Sequence, residues 1–312
     1  MKNHSVIIEF LLTGLSSFPE HQMLIFWAFG FIYGAALVGN ILIILAISTY
    51  SKLHTPMYFL LVNLSIINVC SISIIVPKML QNILAQRKTI TLSGCIAQVY
   101  LFTLALGTEL LLLALMAFDR YAAICHPLQY TVIMRKEFCF GTMAALWLIG
   151  MINSAVHTGL VLQLSFCDSN IINHFFCELP PMFKISCSDT SLNETMIFAA
   201  SVFIAIGSCA LTLTSYGFIV RTILKIRSTE GKKKAFSTCS SHLLVVSFYY
   251  STIIYTFLRP ASAYSLEEDK VIALLYSVVT PVINPLIYSL RNTDVKEALK
   301  KLTRKRGFLQ KE

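Results

Sequence analysis

Charged side chains are scarce in this chain, so the few that stand inside apolar runs are the first places to look for chemistry. Asp119 and Arg120 sit side by side at the end of the run Gly94–Ile124. A charge at membrane depth is costly and is kept for binding, ion or proton traffic, or switching. An adjacent acid and base neutralise each other until a competing partner separates them. Glu109 lies deeper, followed by Leu110–Leu113. It must face a protein interior, pair with another group, or carry a proton. Pro285 follows Asn284 inside another apolar run and removes one backbone hydrogen bond, which kinks the helix. Asn284 can satisfy a freed carbonyl or reach Asn40 and Asn68. His157 stands alone and reads as hydrogen-bonded structure. No Cys/His spacing suits zinc, and neither a phosphate-binding glycine loop nor a catalytic triad is present. No enzyme activity, cofactor or metal is expected.

These residues need long apolar elements to hold them. Hydrophobic residues make up 56% and charged residues 13%, where a soluble domain carries roughly 45–50% and about 25%. Much of the surface must therefore face lipid. A helix crossing the bilayer needs about 20 mainly apolar residues. Seven candidates meet this: Leu24–Ser48, Met57–Leu80, Gly94–Ile124, Phe138–Leu160, Met196–Leu224, Ala235–Leu258 and Lys270–Leu290. The expected fold is an all-α seven-helix membrane bundle in one domain spanning 1–312. Residues 1–23 form its N-terminal segment, 24–291 the bundle, and 292–312 a cytoplasmic amphipathic helix and tail. In that tail Val295, Leu299 and Leu302 form an apolar stripe among Lys296, Lys300, Arg304 and Lys305, suited to a membrane surface.

The net charge of +9 raises nucleic acid as a partner, but no basic stripe with interleaved aromatics is present. Instead the Lys and Arg residues gather on one set of loops and the tail, which marks the cytoplasmic side. Lys232, Lys233 and Lys234 belong to this set, as a positive anchor or as contacts to lipid head groups or a protein partner. Seven spans then put the N-terminus outside. Met1–Phe18 lacks the pattern of a cleaved leader, so targeting is expected to rest on the first span. Asn3 and Asn193 head glycosylation sequons on the outer side, whereas the sequon at Asn63 falls within a span. Cys95, Cys167, Cys177 and Cys187 also lie outside, where disulfides persist; four cysteines allow three pairings.

The segment Met116–Cys125, reading MAFDRYAAIC, resembles the MAYDRYVAIC signature of odorant receptors, a branch of the rhodopsin-like G protein-coupled receptors. Further matches follow in the family's order: Gly39-Asn40, Leu53–Leu60 (LHTPMYFL), Ser215-Tyr216, Lys234–Leu243 (KAFSTCSSHL) and Pro281–Asn292 (PVINPLIYSLRN). The set covers nearly the whole chain and resembles the tetrapod-type (class II) receptors. Three positions depart from it: Phe118 replaces a Tyr, Asn68 stands where most relatives have Asp, and Tyr249-Tyr250-Ser251 stands where Phe-Tyr-Gly is commoner.

The resemblance implies a plasma-membrane receptor that binds a small odorant and activates a stimulatory, olfactory-type heterotrimeric G protein to raise cyclic AMP. It gives Asp119, Arg120, Tyr121, Tyr216, Asn284, Pro285 and Tyr288 to coupling and switching, with Tyr216 and Tyr288 available to Arg120 in the active state. It pairs Cys95 with Cys177 and Cys167 with Cys187. It also implies a sodium ion shared by Glu109 and the acid of the second span. Asn68 removes one of those charges, so sodium is expected to bind weakly or not at all, leaving Glu109 and Asn68 as a proton or hydrogen-bond site. The pocket is expected between inward faces in the outer half. Its candidates are Val99, Phe102, Thr103, Leu106, Gly107 and Leu110, then Ala200, Ser201, Ile204 and Ala205. The last two spans add Tyr250, Ile253, Ile254, Phe257, Ala273 and Ser277. This mainly apolar set suits neutral ligands, and Phe102 stands where amine receptors carry an Asp. The runner-up is a chemoreceptor for a metabolite outside the nose. A transporter should show internal repeats and broken, charged helices at the midplane, and these are not evident.

Overall fold

The computed structural model describes residues 8–15, 19–167, 170–258, 266–291 and 293–309. Seven long helical segments cross the molecule among these residues, and the chain is a multi-pass membrane protein. The first four spans are Pro19–Thr49, Pro56–Leu84, Leu92–Cys125 and Lys136–Val161. The fifth runs over Ser191–Lys225 and the sixth over Thr229–Phe257. The seventh combines Leu266–Leu274, Leu275–Val279 and Thr280–Arg291. Six of them outrun their sequence-based bounds at both ends by a few residues, because polar caps and half-turns extend a helix past its apolar run; the sixth starts earlier than expected and ends at Phe257, one residue short. Thr91, for example, caps the third span by accepting from the Gly94 amide at 3.1 Å.

By length and composition six of the seven are apolar enough to cross a bilayer, and the sixth holds the shorter apolar stretch His242–Phe257. Its first turns carry Lys232, Lys233 and Lys234.

The third span packs against the second, the fourth and the fifth and carries the largest share of buried residues. The first, fourth and fifth spans instead show Trp27, Phe31, Leu148, Phe203 and Leu211 on the outer surface. In a membrane these side chains meet lipid. Small residues set the closest approach. A Cβ on Gly150 would collide with Thr108 Oγ1 and lie 3.1 Å from Leu104 Cδ1, so the fourth span reaches the third only because glycine stands there.

One feature departs from the all-helical expectation. A three-stranded sheet in the order β2-β1-β3 is built from β1 (Glu9–Leu12), β2 (Thr89–Thr91) and β3 (Ile171–Ile172). β1 runs antiparallel to β2, with Phe10 opposite Ile90, and parallel to β3, with Leu11 opposite Ile171. The N-terminal segment thus ties two loops at the end that carries both disulfides. Alternation explains the choice: Phe10 and Leu12 are buried while Glu9 is exposed.

At the opposite end the helix Thr293–Leu309 turns its apolar stripe toward the protein core. Val295 and Ala298 are buried, and the helix packs on the first span. Lys301 Nζ donates to Tyr50 Oη at 2.9 Å and pairs with Glu297 at 2.9 Å.

Candidate ligand-binding cavity and switch

Near the disulfide end, the third to sixth spans and the long loop after the fourth enclose a cavity. It encloses about 530 Å³ of space between atoms, open mouth included. Eleven of the sixteen expected residues line it: Phe102, Thr103, Leu106, Gly107 and Leu110, Ala200, Ser201, Ile204 and Ala205, Ile253 and Phe257. A π-helical turn over Ser201–Ile206 supplies three of these. Such a turn adds a residue per repeat and re-aims the side chains beside it.

The other five do not line this cavity. Val99 and Ala273 are buried in the packed core, and Ile254 packs against it. Ser277 bonds the Ala273 carbonyl of its own helix, and Tyr250 sends its hydroxyl to the Leu110 carbonyl at 3.0 Å. Helical periodicity fixes a face, but only a narrow stripe of that face meets a cavity. The expected set also omitted Asn153, His157, Glu178, Leu179 and Ile197. His157, expected to be hydrogen-bonded structure, has no hydrogen-bond partner among the described residues and faces the cavity. Glu178 and Leu179 come from the loop, whose path the sequence pattern does not encode.

That loop is anchored by both disulfides. Cys95 is bonded to Cys177 and Cys167 to Cys187, and Gln98 Oε1 accepts from the Cys177 amide at 3.0 Å. Glu178 is buried and its Oε1 accepts from Tyr276 Oη at 2.6 Å. Burial pushes its carboxyl up to about 7, although the tyrosine donor works against this. Nearby His174 is stacked on Phe175. Its pKa is lowered to about 3, mainly by burial and then by Lys270. Asn193, which heads the second outer sequon, is 5% exposed and its amide nitrogen is enclosed. Asn3 lies outside the described residues.

Below the cavity a polar chain crosses the bundle. Tyr249 Oη donates to Glu109 Oε2 at 2.8 Å, and Asn284 Nδ2 reaches Glu109 Oε1 at 3.5 Å and Asn68 Oδ1 at 3.2 Å. Asn68 Nδ2 donates to Asn40 Oδ1 at 3.2 Å, and Asn40 Nδ2 ends the chain on the Pro281 carbonyl at 2.9 Å. Pro285 packs directly on the first span, where a Cβ on Gly39 would lie 3.2 Å from its Cγ.

At the basic end Arg120 is held by Asp119, with Nε donating to Oδ2 at 2.9 Å. Tyr130, in the short helix Tyr130–Ile133, donates to the other Asp119 oxygen at 2.7 Å. Tyr121 pairs with His126 at 3.0 Å, away from Arg120. Tyr216 lies 2.7 Å from His242 Nδ1, so its hydroxyl is engaged with the sixth span. The Tyr288 side chain lies outside the described residues. Asp119 thus accepts from two donors, Arg120 on one oxygen and Tyr130 on the other.

The family model described as "Olfactory receptor" matches residues 29–306. The chain is 49% identical to human (Homo sapiens) olfactory receptor 13A1, over 97% of this chain and 92% of that protein. It is 48% identical to mouse (Mus musculus) olfactory receptor 5AP2, over 96% and 95%. The dog (Canis lupus familiaris) olfactory receptor-like protein OLF1 is 45% identical over 97% of both chains. With the cavity, the loop disulfides and the Asp119–Arg120 pair already in place, these full-length matches establish that the chain belongs to the olfactory receptor family.

Proposed function

We propose that this chain is an odorant receptor: a small, mostly apolar volatile enters the cavity, and the opposite end activates a stimulatory, olfactory-type G protein that raises cyclic AMP. The observation that carries this is a ligand-sized apolar cavity at one end of the bundle with a paired Asp119–Arg120 at the other. The polar chain from Glu109 to Pro281 lies between them. The chain acts as one receptor domain over 1–312 in the plasma membrane, with its N-terminus and disulfides outside.

A ligand acts by its differential affinity for two arrangements of the bundle. In the resting arrangement Asp119 holds Arg120, and Tyr216 rests on His242. Binding above draws the inner ends of the fifth and sixth spans apart. Arg120 then leaves Asp119 for the G protein. Asn284 and Pro285 form the bistable element, because the proline leaves the seventh span one backbone bond short and the amide chain can re-pair.

The test is cyclic AMP output from cells that carry the receptor and the olfactory stimulatory G protein, screened against volatile panels with surface delivery measured in parallel. A ligand-dependent rise is expected, and Arg120→Ala should abolish it while reaching the surface. A response that survives Arg120→Ala would overturn the assigned coupling.

A further inference from the structure

The cavity wall is mostly apolar, from Phe102, Leu106, Leu110, Ile204, Ile253 and Phe257. Its polar members differ in how they are satisfied. Thr103 and Ser201 carry hydroxyls, which can turn to a carbonyl of their own helix. Glu178 already takes the Tyr276 hydroxyl. Asn153 and His157 have neither recourse. Asn40 and Asn63 each donate to the carbonyl four residues back, but Asn153 does not. His157 is 4% exposed and Asn153 is half-buried, and neither residue has a hydrogen-bond partner among the described residues. They stand four apart on one face of the fourth span. Gly107 opposite leaves them uncovered: a Cβ there would lie 3.8 Å from Asn153 Nδ2.

A buried polar group left unpaired costs free energy, and a site built around such groups favours the ligand that pairs them. An amide and a neutral imidazole each offer a donor and an acceptor. A carbonyl oxygen accepts from both N–H groups, whereas a hydroxyl accepts from one and donates to the other. A carboxylate would share the cavity with Glu178.

We propose that Asn153 and His157 form the head-group subsite of the cavity and select a neutral oxygen-bearing ligand, a ketone, aldehyde or alcohol, whose hydrocarbon body lies on the apolar wall. This rests on the cavity being the odorant site, but not on G protein coupling.

The test therefore reads binding directly, as ligand-induced thermal stabilisation of the full chain in lipid nanodiscs. The probes are a ketone, an alcohol, an amine and a hydrocarbon that share one carbon skeleton. The ketone and alcohol should bind roughly tenfold more tightly than the hydrocarbon, about the worth of one or two hydrogen bonds. Asn153→Leu and His157→Leu should each remove roughly three- to tenfold of that preference and spare the hydrocarbon. His157→Gln, which keeps a donor and an acceptor, should retain most of it. Gly107→Ala approaches the same amide from the third span and should weaken the ketone and alcohol selectively, which covers the case of a leucine variant that fails to fold.

Equal binding of hydrocarbon and ketone would overturn the proposal, as would proportional losses for every probe in the leucine variants. Tightest binding of the amine would move the head-group site to Glu178 and overturn it too. The expected binding pattern without any cyclic AMP response would sink the coupling instead and leave the subsite standing. Failure of every probe to bind would sink both the subsite and the cavity as odorant site.

Discussion

At the scale of single residues, two departures from the family pattern meet in one place. Asn68 takes the position of a commoner acid, and Tyr249 brings a hydroxyl where Phe is commoner. In the structure that hydroxyl donates to Glu109, while Asn68 is tied to Asn40 and Asn284. A site that resembles an ion site has become a set of hydrogen bonds around one carboxyl, with Asn284 Oδ1 left without a partner among the described residues. Tyr249→Phe should then cost about 1–3 kcal/mol, the price of stranding a buried acceptor, read as a lower melting temperature in nanodiscs. An unchanged melting temperature would mean that Glu109 finds its partner elsewhere. Glu178 offers a second test through pH. Its carboxyl is raised from 4.5 to about 7, so the fold holds a proton that the unfolded chain has lost across that window. Its contribution is full below pH 4.5 and is lost as pH rises to about 7. His174 is lowered from 6.5 to about 3 and works in the opposite sense: its contribution is full above pH 6.5 and is lost as pH falls toward 3. Between pH 4.5 and 6.5 the two offset each other. Glu178→Gln should expose the histidine limb, so that thermal stability rises with pH across this interval more steeply than in the parent chain. A variant whose profile matches the parent would show that Glu178 is charged in the fold.

At the scale of elements, the cavity depends on how closely the third and fourth spans approach. Gly150 permits this, because an added Cβ would collide with Thr108 Oγ1 and lie 3.1 Å from Leu104 Cδ1 and 3.4 Å from the Leu104 carbonyl. Gly150→Ala should push the spans apart and cost about 1–3 kcal/mol, as overpacking in a dense interior does. The same shift would carry Asn153 and His157 away from Gly107, so ligand potency should fall along with the melting temperature. A full response with unchanged melting would mean that the two helices can slide past the added methyl. The element boundaries were legible in sequence to within a few residues, since hydrophobic runs and charged ends are properties of the chain itself. The exception is instructive. The sheet joins Phe10, Ile90 and Ile171, three segments far apart in the chain, and short strands at helix ends leave almost no periodic signal.

At the scale of the whole molecule, the sequence by itself determined the class, the number of spans and the chemistry at the two ends. Charge scarcity forces a lipid-facing surface, loop charge sets the basic end, and the Asp119-Arg120 pair needs no partner from elsewhere to be recognised. Most of the cavity's third-span wall was legible too, because residues at helical spacing share a face whatever they pack against. Other features belong to the tertiary structure alone. Tyr250 and Ser277 lie on the inward faces yet are spent on backbone carbonyls. Asn193 sits in a sequon but is enclosed, and His157 gains its meaning from the partner that it lacks. Glu178 reaches the cavity only because Cys177 fastens the loop to Cys95. The physical reason is common to all of these. Pattern and composition report which groups a chain must hide from water or lipid, whereas which group meets which, and which is left facing empty space, depends on contacts between segments whose separation along the chain carries no trace of them.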